Sequence, residues 1–155
     1  QKLRIHFEVT INAESRALSP AELIQHCKDK EGVLCLLTDA IDKSLLEACP
    51  SLKVISNYAV GYNNIDMAAA NDRKITVYYT PGVLTDATAD LTWALILTAT
   101  RRVVEADAFL RAGKFKGWAP DLLLGFDING KTLGIVGMGR IGLAVAKRAT
   151  AFNMS

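Results

Sequence analysis

The sequence predicts an α/β protein built on an open parallel sheet, and three observations carry that reading. Strand patterns and helix patterns alternate four times between Leu3 and Tyr79, with short connections between them. An unbroken helical stretch follows, from Asp86 to about Arg111. The last stretch, TLGIVGMGRIGLAVAKRATAFNMS, is an apolar strand, a glycine turn and a helix start. Strands that alternate with helices pair in parallel through right-handed crossovers, which is what makes the sheet open.

Each element has its own signals. Leu3 to Val9 alternates as a strand. Ser19-Pro20-Ala21-Glu22 is a capping box with proline at the first helical position. Leu23, Ile24 and Cys27 give that helix its inner face, and Gly32 ends it. Val33 to Leu37 is a continuous apolar run of the buried-strand kind. Asp42 caps a short helix that carries Leu45, Leu46 and Cys49 and stops at Pro50. Lys53 to Tyr58 is the third strand, Asn64 caps a helix through Ala68 to Arg73, and Ile75 to Tyr79 is the fourth strand.

After Thr80-Pro81-Gly82 the pattern changes. No breaker interrupts the 26 residues from Asp86 to Arg111, enough for one helix about 40 Å long. One stripe carries Leu91, Ala94, Leu95, Val103, Ala106 and Leu110. The opposite side of the first half carries Trp93, Ile96, Leu97 and Val104. Apolar on two sides, the helix reads as a strut covered on both. Gly113 ends it, and Lys114 to Gly130 is a loop with Trp118, Pro120, Gly125 and Asn129-Gly130 as turn residues. Thr132 to Val136 supplies the last strand and Leu143 to Ala149 the last helix.

Composition narrows the function classes. Half of the 155 residues are apolar, so a sizeable core is available. A net charge of +2, with acids and bases interspersed, gives no reason to expect nucleic acid or an anionic membrane as partner. The longest apolar run, Leu91 to Ala99, is broken by two threonines and falls far short of the roughly 20 residues that span a bilayer. Cys27, Cys35 and Cys49 lack CxxC spacing and sit in apolar patterns, as reduced, buried thiols of a cytoplasmic protein do. The chain opens on Gln1 with no signal-like segment and closes inside a helical pattern, so both ends read as cut.

The glycine turn carries the chemistry. Gly137-Met138-Gly139-Arg140-Ile141-Gly142 is G-x-G-x-x-G, with a strand pattern before it and a helix pattern after it. That context is what a diphosphate-binding fingerprint requires. Gly137 permits the tight turn, Gly139 lets backbone approach a diphosphate, and Gly142 lets the helix pack close to the strand. The helix start offers unpaired N–H groups and a partial positive charge, to which Arg140 adds a cationic donor. A tight strand–helix turn without a ligand uses the same glycines. The acid that distinguishes NAD from NADP is expected about 20 residues further on, beyond Ser155.

Three blocks now stand in order: ISNYAVGYNNID (Ile55–Asp66), TPGVLTDATADL (Thr80–Leu91) and GKTLGIVGMGRIG (Gly130–Gly142). In this order and spacing the chain resembles the D-2-hydroxyacid dehydrogenase family, and most nearly its glyoxylate and hydroxypyruvate reductases. The resemblance is weakest before Val33, where the family's first strand is missing. It implies a flavodoxin-like parallel-sheet substrate domain at 1–84. Residues 85–155 then begin a Rossmann dinucleotide-binding domain, with the linking helix at 86–112 and the glycine-rich unit at 131–151. It implies that Val60 and Gly61 offer backbone amides to a substrate carboxylate. Thr88, Gly137, Gly139, Arg140, Ile141 and Gly142 would bind the cofactor, NAD or NADP. Two positions depart from the family's pattern: Asn63 stands in place of the usual Asp, and Tyr79 in place of an Asn.

The resemblance also implies what this stretch lacks. In the family a histidine poised by a carboxylate exchanges a proton with the substrate oxygen, and an arginine holds the carboxylate; all three lie downstream of the glycine turn. His6 and His26 are the only histidines here, and both read as structural or solvated. The expected function is NAD(P)-dependent reduction of glyoxylate or hydroxypyruvate to the D-2-hydroxy acid by a homodimer, with this chain inactive alone. Formate- or phosphite-oxidising relatives are a same-class option. The alternative from another class is a dinucleotide-sensing, dimerising binding protein of the corepressor kind on the same scaffold. A lone strand–helix unit cannot bury its apolar faces. It is therefore expected to pack on the strut helix, on a second chain or on further protein.

Overall fold

The structure, a computed structural model, describes residues 2–155. The chain forms two compact units, 1–81 and 82–155.

The first unit is a three-stranded parallel sheet with helices packed on it. Its elements are α1 (Pro20–Cys27), β1 (Gly32–Leu36), α2 (Lys43–Ala48), β2 (Val54–Tyr58), α3 (Met67–Asp72) and β3 (Thr76–Tyr78). The strands lie in the order β1-β2-β3, with Leu34 opposite Ser56 and Ser56 opposite Tyr78. The parallel α/β class read from the sequence is the one observed. α1 starts as its capping box dictates: Glu22 N–H donates to Ser19 Oγ at 3.4 Å, and Ser19 N–H donates to the Glu22 carboxylate at 2.7 Å. Leu23, Leu45, Leu46, Cys35, Ile55 and Ile75 meet in one buried core. Each such aliphatic side chain contributes about 2 kcal/mol by leaving water.

The first unit corrects three expectations. Leu3–Val9 is no strand: Leu3–Ile5 is a single 3-10 turn, and Leu3, Ile5 and Phe7 are exposed. Alternation makes a strand only where a neighbour accepts its backbone hydrogen bonds, and no described strand does so here. Asn64 does not cap α3; Asp66 does, accepting the Ala69 N–H at 3.0 Å. The carboxylate two residues later is at the N-cap, which frees the Asn64 amide for other partners. Finally, β1 is not buried on both faces. Side chains alternate across a strand, and the face carrying Leu34, Leu36, Val54, Tyr58 and Tyr78 is exposed while Cys35 and Ile55 lie in the core.

The second unit contains α4 (Thr85–Thr100), α5 (Val103–Arg111) and α6 (Arg140–Ala149). The long helix expected at 86–112 is therefore two helices. They are separated at Arg101-Arg102, where Arg102 takes a left-handed φ of 54°. The loop supplies the cause. Phe126 N–H donates to Thr100 O at 2.6 Å, and the Arg102 guanidinium donates to Leu124 O at 3.2 Å. The helix ladder yields to hydrogen bonds with a segment more than twenty residues away, which no local pattern encodes.

α6 packs on α4, the first of the three outcomes expected for the terminal unit. Ala89 and Trp93 of α4 and Val145 and Ala149 of α6 are buried together, with Ile96, Ile135 and Phe152 against them. The Trp93 ring stacks on Phe152 with centroids 4.7 Å apart, and its indole N–H donates to Val145 O at 3.0 Å. Arg148 ties the same helices at their edge, reaching Asp90 at 2.7 Å and Asp86 at 3.1 Å. Only one side of α4 is covered: Leu91 and Leu95 are exposed, as are Val103 and Val104 on α5. The doubly covered strut is corrected accordingly.

Thr132–Val136 makes no strand among the described residues, and Val136 is fully exposed. Its first residues instead meet the end of the chain. Leu133 N–H donates to Ser155 O at 2.8 Å, and Ser155 N–H donates to Lys131 O at 3.1 Å. That is the hydrogen-bond pattern of one parallel bridge. Two residues in register are too few for a ladder.

Candidate functional site

The predicted substrate residues lie just after β2, at the carboxyl end of the central strand, where open α/β sheets present loops to ligands. Val60 is exposed, Gly61 half-buried. The carbonyls around them are tied inward. Ala59 O accepts both the N–H and the hydroxyl of Thr80, at 2.9 and 3.0 Å. Gly61 O accepts the side-chain amide of Asn57 at 2.9 Å, and Tyr62 O accepts Ile65 N–H at 3.0 Å. Among the described residues the Val60 and Gly61 N–H groups have no acceptor. Two consecutive amides are left available to an anion.

Asn57 escapes sequence reasoning based on motifs. It is the buried polar side chain of this unit, 1% exposed on the core face of β2. Its Nδ2 donates to Gly61 O and to Asn64 Oδ1, both at 2.9 Å, and its Oδ1 lies 3.3 Å from the Cys35 thiol. Asn64 in turn donates to Leu36 O at 3.1 Å and Asp39 O at 3.0 Å. A signal existed: an amide at an inward strand position demands partners. Burial, and secondarily the Asp39 carboxylate, push the Cys35 thiol up to about 11, so it sits there as a neutral thiol.

The glycine turn and Thr88 belong to the second unit. Gly137 has φ +94°, which suits a residue without a Cβ. A Cβ on Gly142 would stand 2.2 Å from Gly137 O and 3.4 Å from Ile135 Cγ2, so the start of α6 is pressed against the turn. At Gly139, the N-cap of α6, a Cβ would meet nothing within 4 Å. The first intrahelical bond runs from Leu143 N–H to Gly139 O at 2.9 Å. The N–H groups of Arg140, Ile141 and Gly142 therefore point out of the helix end unpaired. Arg140 is exposed and makes no ion pair among the described residues, while the Ile141 side chain is half-buried against the α4–α6 core. Thr88 lies in the first turn of α4, half-buried; its carbonyl accepts the Thr92 hydroxyl at 2.8 Å, and its own hydroxyl has no partner among the described residues. An anion-accepting helix end with room above Gly139 fits a diphosphate.

The described residues hold no cluster of three or more His, Cys, Asp or Glu side chains able to take a metal, and no helix long and apolar enough to cross a membrane. His6 and His26 are both exposed.

The family model for the D-isomer specific 2-hydroxyacid dehydrogenase catalytic domain matches residues 1–153. The chain belongs to that family. It is 50% identical over 154 residues to the glyoxylate reductase of Korarchaeum cryptofilum, covering 99% of this chain and 46% of that protein. Among solved structures, the TT0316 protein from Thermus thermophilus superposes with a TM-score of 0.85 at 51% identity, over 90% of this chain and 45% of that one. The D-lactate dehydrogenase of Aquifex aeolicus, complexed with NAD and lactic acid, superposes with a TM-score of 0.74 at 30% identity, over 84% and 39%. The chain thus spans about half the length of the curated 2-hydroxyacid dehydrogenases it matches. A nicotinamide dinucleotide is a cofactor within the family, as the NAD complex illustrates.

Proposed function

We propose that the full-length protein is an NAD(P)-dependent reductase of a small 2-keto acid, glyoxylate or hydroxypyruvate, yielding the D-2-hydroxy acid. The observation that carries this reading is the turn at the start of α6, where Gly142 admits no Cβ, a Cβ at Gly139 would meet nothing within 4 Å, and the three N–H groups that follow have no acceptor among the described residues. When bound, the dinucleotide would supply the hydride. Gly137 shapes the turn, Gly139, Ile141 and Gly142 give backbone to the diphosphate, and Arg140 adds charge. Thr88 offers its unpartnered hydroxyl to the nicotinamide end, and the Val60 and Gly61 amides take the substrate carboxylate. Residues 1–84 act as the substrate domain and 85–155 as the beginning of the dinucleotide domain.

Neither His6 nor His26 lies in the sequence blocks that carry those groups, so in this reading proton exchange falls to residues outside the chain and the 155-residue chain is inactive alone. The protein works as a cytoplasmic homodimer in this reading. Three free, buried cysteines support a reducing compartment, and the uncovered Leu91 and Leu95 flank of α4 supports self-association. The test is oxidation of NADH and NADPH by the full-length gene product with glyoxylate and with hydroxypyruvate. Turnover with either acid is the expected result; tight cofactor binding without turnover would instead favour a dinucleotide-sensing binding protein.

A further inference from the structure

We propose that Asn57 and Thr80 are positioning residues, which clamp the Val60–Gly61 loop from both sides so that its two free amides converge on one substrate carboxylate. The proposal rests on the carboxylate-binding role given to that loop above.

A trans peptide is planar, and its C=O and N–H point in opposite directions. Ala59 O is held inward by two donors from Thr80, at 2.9 and 3.0 Å; the N–H of that same plane, which belongs to Val60, is thereby turned outward. Gly61 O is held inward by Asn57 Nδ2 at 2.9 Å. The plane between them, carrying the Gly61 N–H, has a fixed neighbour on each side. Only its tilt remains, and glycine would otherwise let that tilt wander.

Asn57 itself has no freedom to release the loop. Its second N–H donates to Asn64 Oδ1 at 2.9 Å, its oxygen faces the Cys35 thiol at 3.3 Å, and Asn64 is pinned to the carbonyls of Leu36, at the end of β1, and of Asp39 in the loop that follows. A polar group buried to this degree costs stability unless every bond is made. An apolar residue would serve the core of β2 equally well. Asn57 is placed so that a rigid sheet holds a loop carbonyl, the kind of support that keeps a binding group within a fraction of an ångström. Tyr62 and Tyr79, edge to face with centroids 5.1 Å apart, brace the same loop from outside.

The test uses the full-length gene product and its variants Asn57→Ala and Thr80→Val. The second exchanges the hydroxyl of a half-exposed residue for a methyl group and keeps the backbone bond. KM for glyoxylate, kcat, the Kd of NADH and the Kd of oxamate, a carboxylate that cannot be reduced, are measured together with the urea midpoint. A loosened carboxylate site raises KM and the oxamate Kd about tenfold or more in Asn57→Ala, and less in Thr80→Val, with NADH affinity unchanged. A folded Asn57→Ala with wild-type KM and oxamate affinity overturns the proposal. So does a parallel loss of NADH affinity, which would mark general damage. If Asn57→Ala does not fold, Thr80→Val decides alone: a raised oxamate Kd supports the clamp and an unchanged one overturns it. Failure of the functional reading looks different, because wild-type protein would then reduce no 2-keto acid.

Discussion

At Gly142 the backbone of a helix and the carbonyl of a turn share space that one methyl group would fill. Gly142→Ala would place a carbon 2.2 Å from Gly137 O, well inside any tolerated contact, and both partners are backbone. The helix start must move, at about 1–3 kcal/mol. Urea denaturation will show the lowered midpoint, and cofactor titration of the full-length protein a weakened Kd, because the displaced N–H groups are those assigned to the diphosphate. The buried thiols make a separate statement about pH. Burial raises Cys27 and Cys35 from the ordinary 9.0 to about 11 each, with nearby charge adding to it. The unfolded chain therefore releases these protons first. Their contribution to stability is complete below pH 9 and is lost as pH rises through about 11. The urea midpoint will fall between pH 8.5 and 10.5, and the fall will be shallower in Cys35→Ala; an equally steep fall in that variant would remove Cys35 from the account.

The helices show where chain patterns succeed and where they stop. α1 was readable because everything that starts it lies within four residues: Ser19 and Glu22 satisfy each other's backbone N–H, and Pro20 stands at the first helical position, where no donor is needed. The break between α4 and α5 was not, because its cause lies in the loop at Leu124–Phe126. Gly125 is the test of that cause. A Cβ there would stand 2.6 Å from Thr100 O and 2.9 Å from Arg101 Cα. Gly125→Ala will dislodge the loop, cost about 1–3 kcal/mol, and raise hydrogen exchange at Phe126 N–H, which now donates to Thr100 O. The cap of α3 divides the same way. Asn64 and Asp66 both suit an N-cap, and only the long-range pull of Leu36 O, Asp39 O and Asn57 on Asn64 settles which takes it. Asp66→Ala will cost about 1 kcal/mol, as the loss of a capping side chain does. The binding motifs themselves were visible as short runs of residues. The buried Asn57 that holds one of them was not, since its partners lie on β1 and in the loop after β2.

Parallel sheets are built to be covered on both faces, and this one is covered on one. Leu34, Leu36, Val54, Tyr58 and Tyr78 form a single apolar face, with exposures from 38% for Val54 to 72% for Tyr58. In the second unit Leu91 and Leu95 stand open on α4, at 59% and 60%. The alternation of strands and helices in the sequence implies that these faces exist. It could not say that the 155 residues leave them bare, because covering is a property of what else folds alongside. Contiguous apolar area of this kind binds hydrophobic dyes and drives self-association. The 155-residue chain, expressed alone, will enhance the fluorescence of an anilinonaphthalene dye and will show concentration-dependent association by light scattering. Leu34→Ser with Leu36→Ser will reduce both signals, while the full-length protein, about twice as long in its relatives, will show little dye enhancement and no association beyond a dimer. A monodisperse, dye-silent 155-residue monomer would mean that the exposed face of β1 and β2 is tolerated by water. This sheet would then require no second covering layer.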